Sequence, residues 1–270
     1  RVCCKNGSMS DSDHSSTRAW VRLYDELDLW SDTANRASFW WRDDDAIEET
    51  AELKRLNSLS QDLRIPVALA TIPSLLQDSL PGYLRDRDNI TVFQHGYSHS
   101  SYAAEGVKKI ELGGERSTDE IQIQLAAGRR QLHTAFADQF LPVLVPPWNR
   151  IESRTYAALA SAGFCGVSSM WARASAYPAE GLLQVNTHLD LVNWRHGRGF
   201  VGETMAIALI CDHLFTRRTG NQTSTEPTGI LTHHLSQDEQ VWGFIPELMH
   251  KLSRHPAVEW LDARSIWVND

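Results

Sequence analysis

The stretch "FWWRDDDA", residues 39–46, sets three aromatic residues and an arginine directly before three consecutive aspartates. An apolar run bounded in this way is expected to form a buried strand. Its carboxylates then stand at the carboxyl end of that strand, where parallel α/β folds gather their functional groups. Asp43, Asp44 and Asp45 are therefore either the polar start of a loop or groups aimed at a ligand.

Away from this stretch, short strand-like runs alternate with longer helical patterns. The strand at 37–41 is followed by helical spacing of Ile47, Leu53, Leu56, Leu59 and Leu63 over 46–63. Strand-like runs follow at 65–72 and 90–94, then a helix over 117–137, a strand at 141–148 and a helix over 152–162. The remainder reads as strands at 166–170, 181–192, 229–234 and 258–262, with helices near 203–217 and 239–253. Such alternation predicts an α/β fold with a parallel sheet and helices outside it, as an open sheet or a barrel. The polar stretch 220–229 is a linker too short to divide domains. One domain over 37–270 is expected, preceded by a segment at 9–36, while "RVCCKNGS" (1–8), ahead of Met9, reads as a cloning remnant.

With 270 residues, 42% of them hydrophobic, the chain can bury a core the size of an α/β barrel. Its 34 acidic and 26 basic residues leave a net charge of −8, which argues against nucleic acid as the partner. Cys165 and Cys211 lie in apolar contexts and are expected as free thiols. No signal sequence and no membrane span is legible, so a cytoplasmic location is the expectation. Asn221-Gln222-Thr223 matches a glycosylation acceptor, which carries no meaning in that compartment. Oligomeric state is not legible.

Four strand candidates end in reactive residues: Asp43–Asp45, "HGYSH" (95–99), "PPWNR" (146–150) and "LTHH" (231–234). His95 and His99 are spaced so that both imidazoles reach one metal ion if the segment is helical or tightly turned; otherwise they are satisfied or exposed histidines. Two histidines and one carboxylate make a hydrolytic metal site with open positions. The aspartate run offers that carboxylate, and a second one to take a proton from bound water.

The motifs, in order, resemble those of the polysaccharide deacetylase family, carbohydrate esterase family four. That resemblance implies a single-domain distorted (β/α)7-type barrel and hydrolysis of an N-acyl group with a divalent metal, expected as Zn2+. "RDDDA" is similar to the family's T-F-D-D-G, which implies Asp44 as base and Asp45 as metal ligand. "HGYSH" is similar to H-[ST]-x-x-H, implying His95 and His99 as the other ligands, with Gly96 in place of the hydroxyl residue. "VPPWN" keeps Pro147 of R-x-P-x-G and implies a backbone N–H of Trp148 for an oxyanion hole, beside Asn149 and Arg150 at the substrate. "DLVNW" (190–194) keeps Asp190 and Trp194 of D-x-x-D-W for the substrate site, and "LTH" matches L-x-H, implying His233 as general acid.

The resemblance covers residues 42–233 and departs from the family in two further places. Val145 replaces the arginine that braces the base, leaving Arg42 or Arg150 to take over. Asn193 replaces the second acid of the fourth motif, leaving Asp190 or His188 to partner His233. Plainer roles are expected elsewhere. Asp43 is expected as a solvated or capping residue, His234 as facing away from His233, and Trp40, Trp41 and Trp242 as core. The stretch 106–116 is expected as a rim loop with solvated charges.

Three functions are consistent with these residues: removal of an acyl, expectedly acetyl, group from an N-acylated sugar; the same chemistry on a formyl, ureide or cyclic imide C–N bond; or carbohydrate binding without catalysis.

Overall fold

Successive residues of the first strand, β1 (Ala37–Ala46), face two different cores. Phe39 and Trp41 join the outer cluster under the helices, whereas Trp40 joins the inner one with Ala68, Ala70, Phe93 and Val143. A strand covered on both faces is what an unbroken apolar run in a parallel sheet implies. The structure is a computed structural model describing residues 11–268 apart from 34, 196 and 221–224, with no side chains for 11–13. The expected remnant at 1–8 and the acceptor match at 221–223 lie outside the described residues.

After α1 (Asp11–Ser31) and β1 come α2 (Ala51–Leu63), β2 (Val67–Thr71), α3 (Ser79–Leu84), β3 (Ile90–His95), α4 (Thr118–Phe136), β4 (Phe140–Val145) and α5 (Tyr156–Ser161). Four two-residue strands follow: β5 (Gly166–Val167), β6 (Leu183–Gln184), β7 (Leu189–Asp190) and β8 (Val192–Asn193). The chain continues through β9 (Gly199–Phe200), α6 (Glu203–Arg218), β10 (Thr228–Thr232), α7 (Glu239–Ser253), β11 (Val258–Trp260) and α8 (Ala263–Trp267).

Among the described residues the main sheet has nine strands in the order β6-β5-β4-β3-β2-β1-β10-β7, with β11 also on β1. Every ladder in it is parallel. The sheet curls into a half-barrel, the distorted barrel expected, in a single domain. β8 and β9 form a small antiparallel pair beside it.

Two helices add to the expected pattern. α1 buries Leu23 and Leu27 fully in the outer cluster, each worth roughly 1.5–3 kcal/mol. α8 sets Trp267 edge-on to Trp40 and Phe93, each at 5.2 Å, and so plugs the inner core. The run 181–192, which reads as one strand, is broken. Asn186 at the break spends its side chain on Ser169 N–H and the Trp171 carbonyl. No helix among the described residues is long and apolar enough to cross a membrane.

Candidate metal centre and active site

The strand period of two puts Arg42 and Asp44 on one face of β1 and Asp43 on the other. Between Asp43 and Ala46 the β1–β2 register shifts, and Asp45 has a φ of 75°. This bulge re-aims one side chain, as bulges at sheet ends do. Three adjacent carboxylates thus enter three different surroundings.

Asp43 is fully buried and accepts from Thr232 Oγ1 at 2.6 Å and from the His234 N–H at 3.1 Å, while the His234 ring pairs with it. The expectation of a solvated or capping Asp43 is therefore corrected: Thr232 is its register partner on β10, and the bonds run across the strands. His234 does face away from His233, as expected. Trp40, Trp41 and Trp242 are all core.

Asp44 is braced by Arg42. The guanidinium Nε lies 2.9 Å from Oδ1, and Nη2 donates to Oδ2 at 3.0 Å. Arg42 is fully buried, with Nη1 donating to the Ser168 and Ser169 carbonyls and Nη2 to Asn149 Oδ1. A buried cation held through both terminal nitrogens keeps the carboxylate beside it in one orientation. Arg42, not Arg150, stands in for the arginine that Val145 replaces; Arg150 donates instead to the Lys109 carbonyl. Asn149, expected at the substrate, has its side-chain oxygen engaged in the brace.

Asp45 Oδ1 stands 3.1 Å from His95 Nε2 and 3.4 Å from His99 Nε2. Ligand atoms about 2.1 Å from a tetrahedral ion lie about 3.4 Å apart, so the spacing fits one ion. The hydrogen bonding fits as well. His95 Nδ1 donates to the Val145 carbonyl at 3.1 Å, which leaves a lone pair on Nε2 facing Asp45. Asp45 Oδ1 is buried with no hydrogen-bond partner. A carboxylate oxygen and an imidazole lone pair repel unless a cation lies between them, and the donor set suits zinc. Burial pushes the His99 imidazole down, toward the neutral form that can ligate.

Beside these groups the Trp148 ring packs on His99 at 4.6 Å, following the buried Pro147. On the opposite flank His233 Nε2 is 4.0 Å from Asp44 Oδ2, and its Nδ1 is 3.7 Å from Asp190 Oδ1. Asp190 accepts from Trp194 Nε1 at 2.7 Å, and the Trp194 ring stands edge-on to His233 at 4.7 Å. Burial raises the Asp190 carboxyl. Asp190, not His188, is thus the partner of His233. Asp45, His99, Trp148 and Asn149 all have positive φ without being glycine. Strain of that kind, on the order of 1–3 kcal/mol per residue, concentrates at functional sites.

His188 belongs to a second buried group with His213 and Glu226. It accepts the Gly229 N–H on Nδ1, so its Nε2 carries the proton and has no lone pair for a metal. Arg173 lies 3.9 Å from Glu226 and also opposes a cation there.

No protein-family model matches this chain, and no curated protein matches it in sequence. Solved structures do match. A candidate polysaccharide deacetylase from Mycobacterium smegmatis superposes with a TM-score of 0.64 at 14% identity, over 87% of this chain and 90% of that one. The fold is that of the polysaccharide deacetylases. A family 4 carbohydrate esterase from Streptomyces lividans, solved with acetate, gives 0.52 at 14% identity, covering 83% and 92%. A family 4 pseudoenzyme from Bacillus anthracis gives 0.51 at 12% identity, covering 84% of this chain and 64% of that one. The polysaccharide-deacetylase fold therefore houses both active and inactive relatives.

The stretch 106–116 needs a correction. Lys108, Lys109 and Glu115 are exposed as expected, but Glu111 and Arg116 are buried. Nothing in the local sequence marks them, because their partners lie in other segments. Arg42 was within reach of the alternation argument, since it shares a face with Asp44.

Proposed function

We propose that this protein is a metal-dependent hydrolase that removes an acyl group, acetyl foremost, from the nitrogen of an N-acylated sugar or oligosaccharide. The observation that carries this reading is the convergence of His95 and His99 on Asp45 Oδ1, at 3.1 and 3.4 Å, with all three ligand atoms within 4.8 Å of one another, Asp44 on one side held by Arg42 and His233 4.0 Å from it. A zinc ion held by those three side chains would supply a Lewis acid and lower the pKa of water near it to about 7. Asp44 takes the proton from the attacking water, its orientation held by the Arg42 guanidinium. The Trp148 N–H donates to the oxygen on which charge develops. His233, with Asp190 behind it, passes a proton to the leaving amine. The half-exposed Trp194, on the His233 flank, offers a ring face to the sugar; Pro147, expected at the substrate, is buried, and Arg150 is partly exposed.

The test is acetate release from N-acetylated chitooligosaccharides, run beside formamides, ureides and cyclic imides. Activity is expected on the sugars, to vanish after exhaustive chelation and to return with Zn2+. Hydrolysis undiminished by chelation removes the metal from the reaction. Turnover confined to the small amides keeps the chemistry and replaces the substrate.

A further inference from the structure

Gly96 stands where the resembling motif carries a hydroxyl residue, and the space that a side chain would need is already filled. A Cβ there would lie 2.4 Å from Glu111 Oε2 and 2.6 Å from Pro147 Cγ, on a backbone with φ of 53°. Glu111 is fully buried and spends its carboxylate on the backbone of the histidine loop. Oε1 accepts the N–H of Tyr97 at 2.9 Å and of Ser98 at 2.9 Å, and Oε2 accepts the N–H of His99 at 3.0 Å. Three successive donors on one carboxylate fix the turn that places His99, whose φ is 55°.

The same segment reaches the far side of the site. Leu112 bridges Ile151 in parallel, and Glu152 both donates its N–H to the Leu112 carbonyl at 3.0 Å and accepts from Gly114 N–H at 2.9 Å. Ile151 and Glu152 follow closely on Trp148, whose ring packs on His99. Glu111 therefore ties the loop bearing His99 to the segment bearing Trp148.

We infer that Glu111 is a positioning residue for the metal centre, its carboxylate ordering the loop that carries His99 in the space a side chain at position 96 would need. This rests on the metal reading above. It adds a residue some distance along the chain from every motif, and it explains why the second motif carries glycine. A buried negative charge beside the ligand loop also favours a bound cation.

Glu111→Gln separates this role from general stability. An amide in the same place keeps the acceptor for Tyr97 and Ser98 but turns an NH2 toward the His99 N–H, donor against donor. Zinc affinity, measured by competition with a chromophoric chelator, is expected to fall about 10- to 100-fold, as losses of outer partners do. The metal-free Tm serves as control for folding. Turnover is expected to recover when zinc is raised in proportion, so the half-saturating metal concentration moves more than kcat does. Gly96→Ala, which crowds the same carboxylate without removing it, is expected to weaken zinc in the same direction.

Wild-type zinc affinity in both variants overturns the role of Glu111 and leaves the metal reading standing. A lowered metal-free Tm with unchanged half-saturation assigns Glu111 to folding alone and overturns it too. Wild-type protein that takes up no zinc, or Asp45→Ala that still takes it up, brings down the metal reading and this inference together.

Discussion

Arg42 and Asp44 meet where there is no water to screen them. Removing one member of such a pair strands the other, at a cost of about 3–5 kcal/mol. Arg42→Met is therefore expected to lower the urea midpoint sharply and turnover with it; a loss of stability under about 1 kcal/mol would show the brace to be dispensable. Asp44→Asn is a different experiment on the same pair, because the amide keeps size and shape but cannot take a proton. It should retain zinc and lose turnover by a factor of about 100 or more. If it stays fully active, the base is another group. Asp45→Ala and His99→Ala should instead lose metal and activity together. Alternation along a strand makes the Arg42–Asp44 pairing readable in advance, whereas the buried bonds of Asp43 depend on which strand became its neighbour.

At the scale of elements, the ends of strands and helices do the positioning. The bulge in β1 sends Asp45 toward β3, and without it the strand would carry that carboxylate away from the two histidines. Asp238 performs a related task on the other flank. It caps α7 by accepting from Gln240 and Val241 N–H, and it also accepts the Phe200 N–H of β9. That ties the β8–β9 pair, between whose strands Trp194 lies in the chain, to a core helix. Asp238→Ala is expected to cost about 1–2 kcal/mol, read from the shift in denaturant midpoint. A shift within a few tenths would mean that solvent replaces the cap. Of the two elements not expected, α1 carries a legible helical repeat, with Trp20, Leu23, Leu27 and Trp30 all buried, whereas α8, five residues long, is too short for periodicity to show. Each is held by a few large side chains set against a surface formed elsewhere.

The molecule as a whole keeps two histidines neutral in its interior. His188 is pushed down to about 3 by burial and then by Arg217 and Arg173, and His213 to about 2 by burial and then by His188 and Arg217. Glu226 faces the same group, with burial raising its carboxyl. Both histidines have folded-state values below 6.5, so the unfolded chain binds protons that the folded one refuses. Their contribution is complete above pH 6.5 and drains away as the pH falls toward about 3, by about 1.4 kcal/mol per pH unit for each. A rise in the Glu226 value works in the opposite sense, so the comparison must be with a variant. Tm is expected to drop on going from pH 7 to pH 5, and less steeply in His213→Asn. Equal slopes in the two proteins would show that these imidazoles do not set the acid limit.

Periodicity and composition were enough for an α/β fold with a parallel sheet, because a hydrophobic repeat is written into neighbouring residues. Spacing was enough to nominate His95 and His99 with a carboxylate of the aspartate run, and the resemblance of the motifs to the polysaccharide deacetylases singled out Asp45, Asp44 and His233. Folding had to supply the rest. Whether Arg42 or Arg150 reaches the base, whether Asp190 or His188 reaches His233, and that Glu111 grips the histidine loop all depend on contacts between segments far apart in the chain. Burial and hydrogen bonding are settled only when those segments pack, so no local pattern records them.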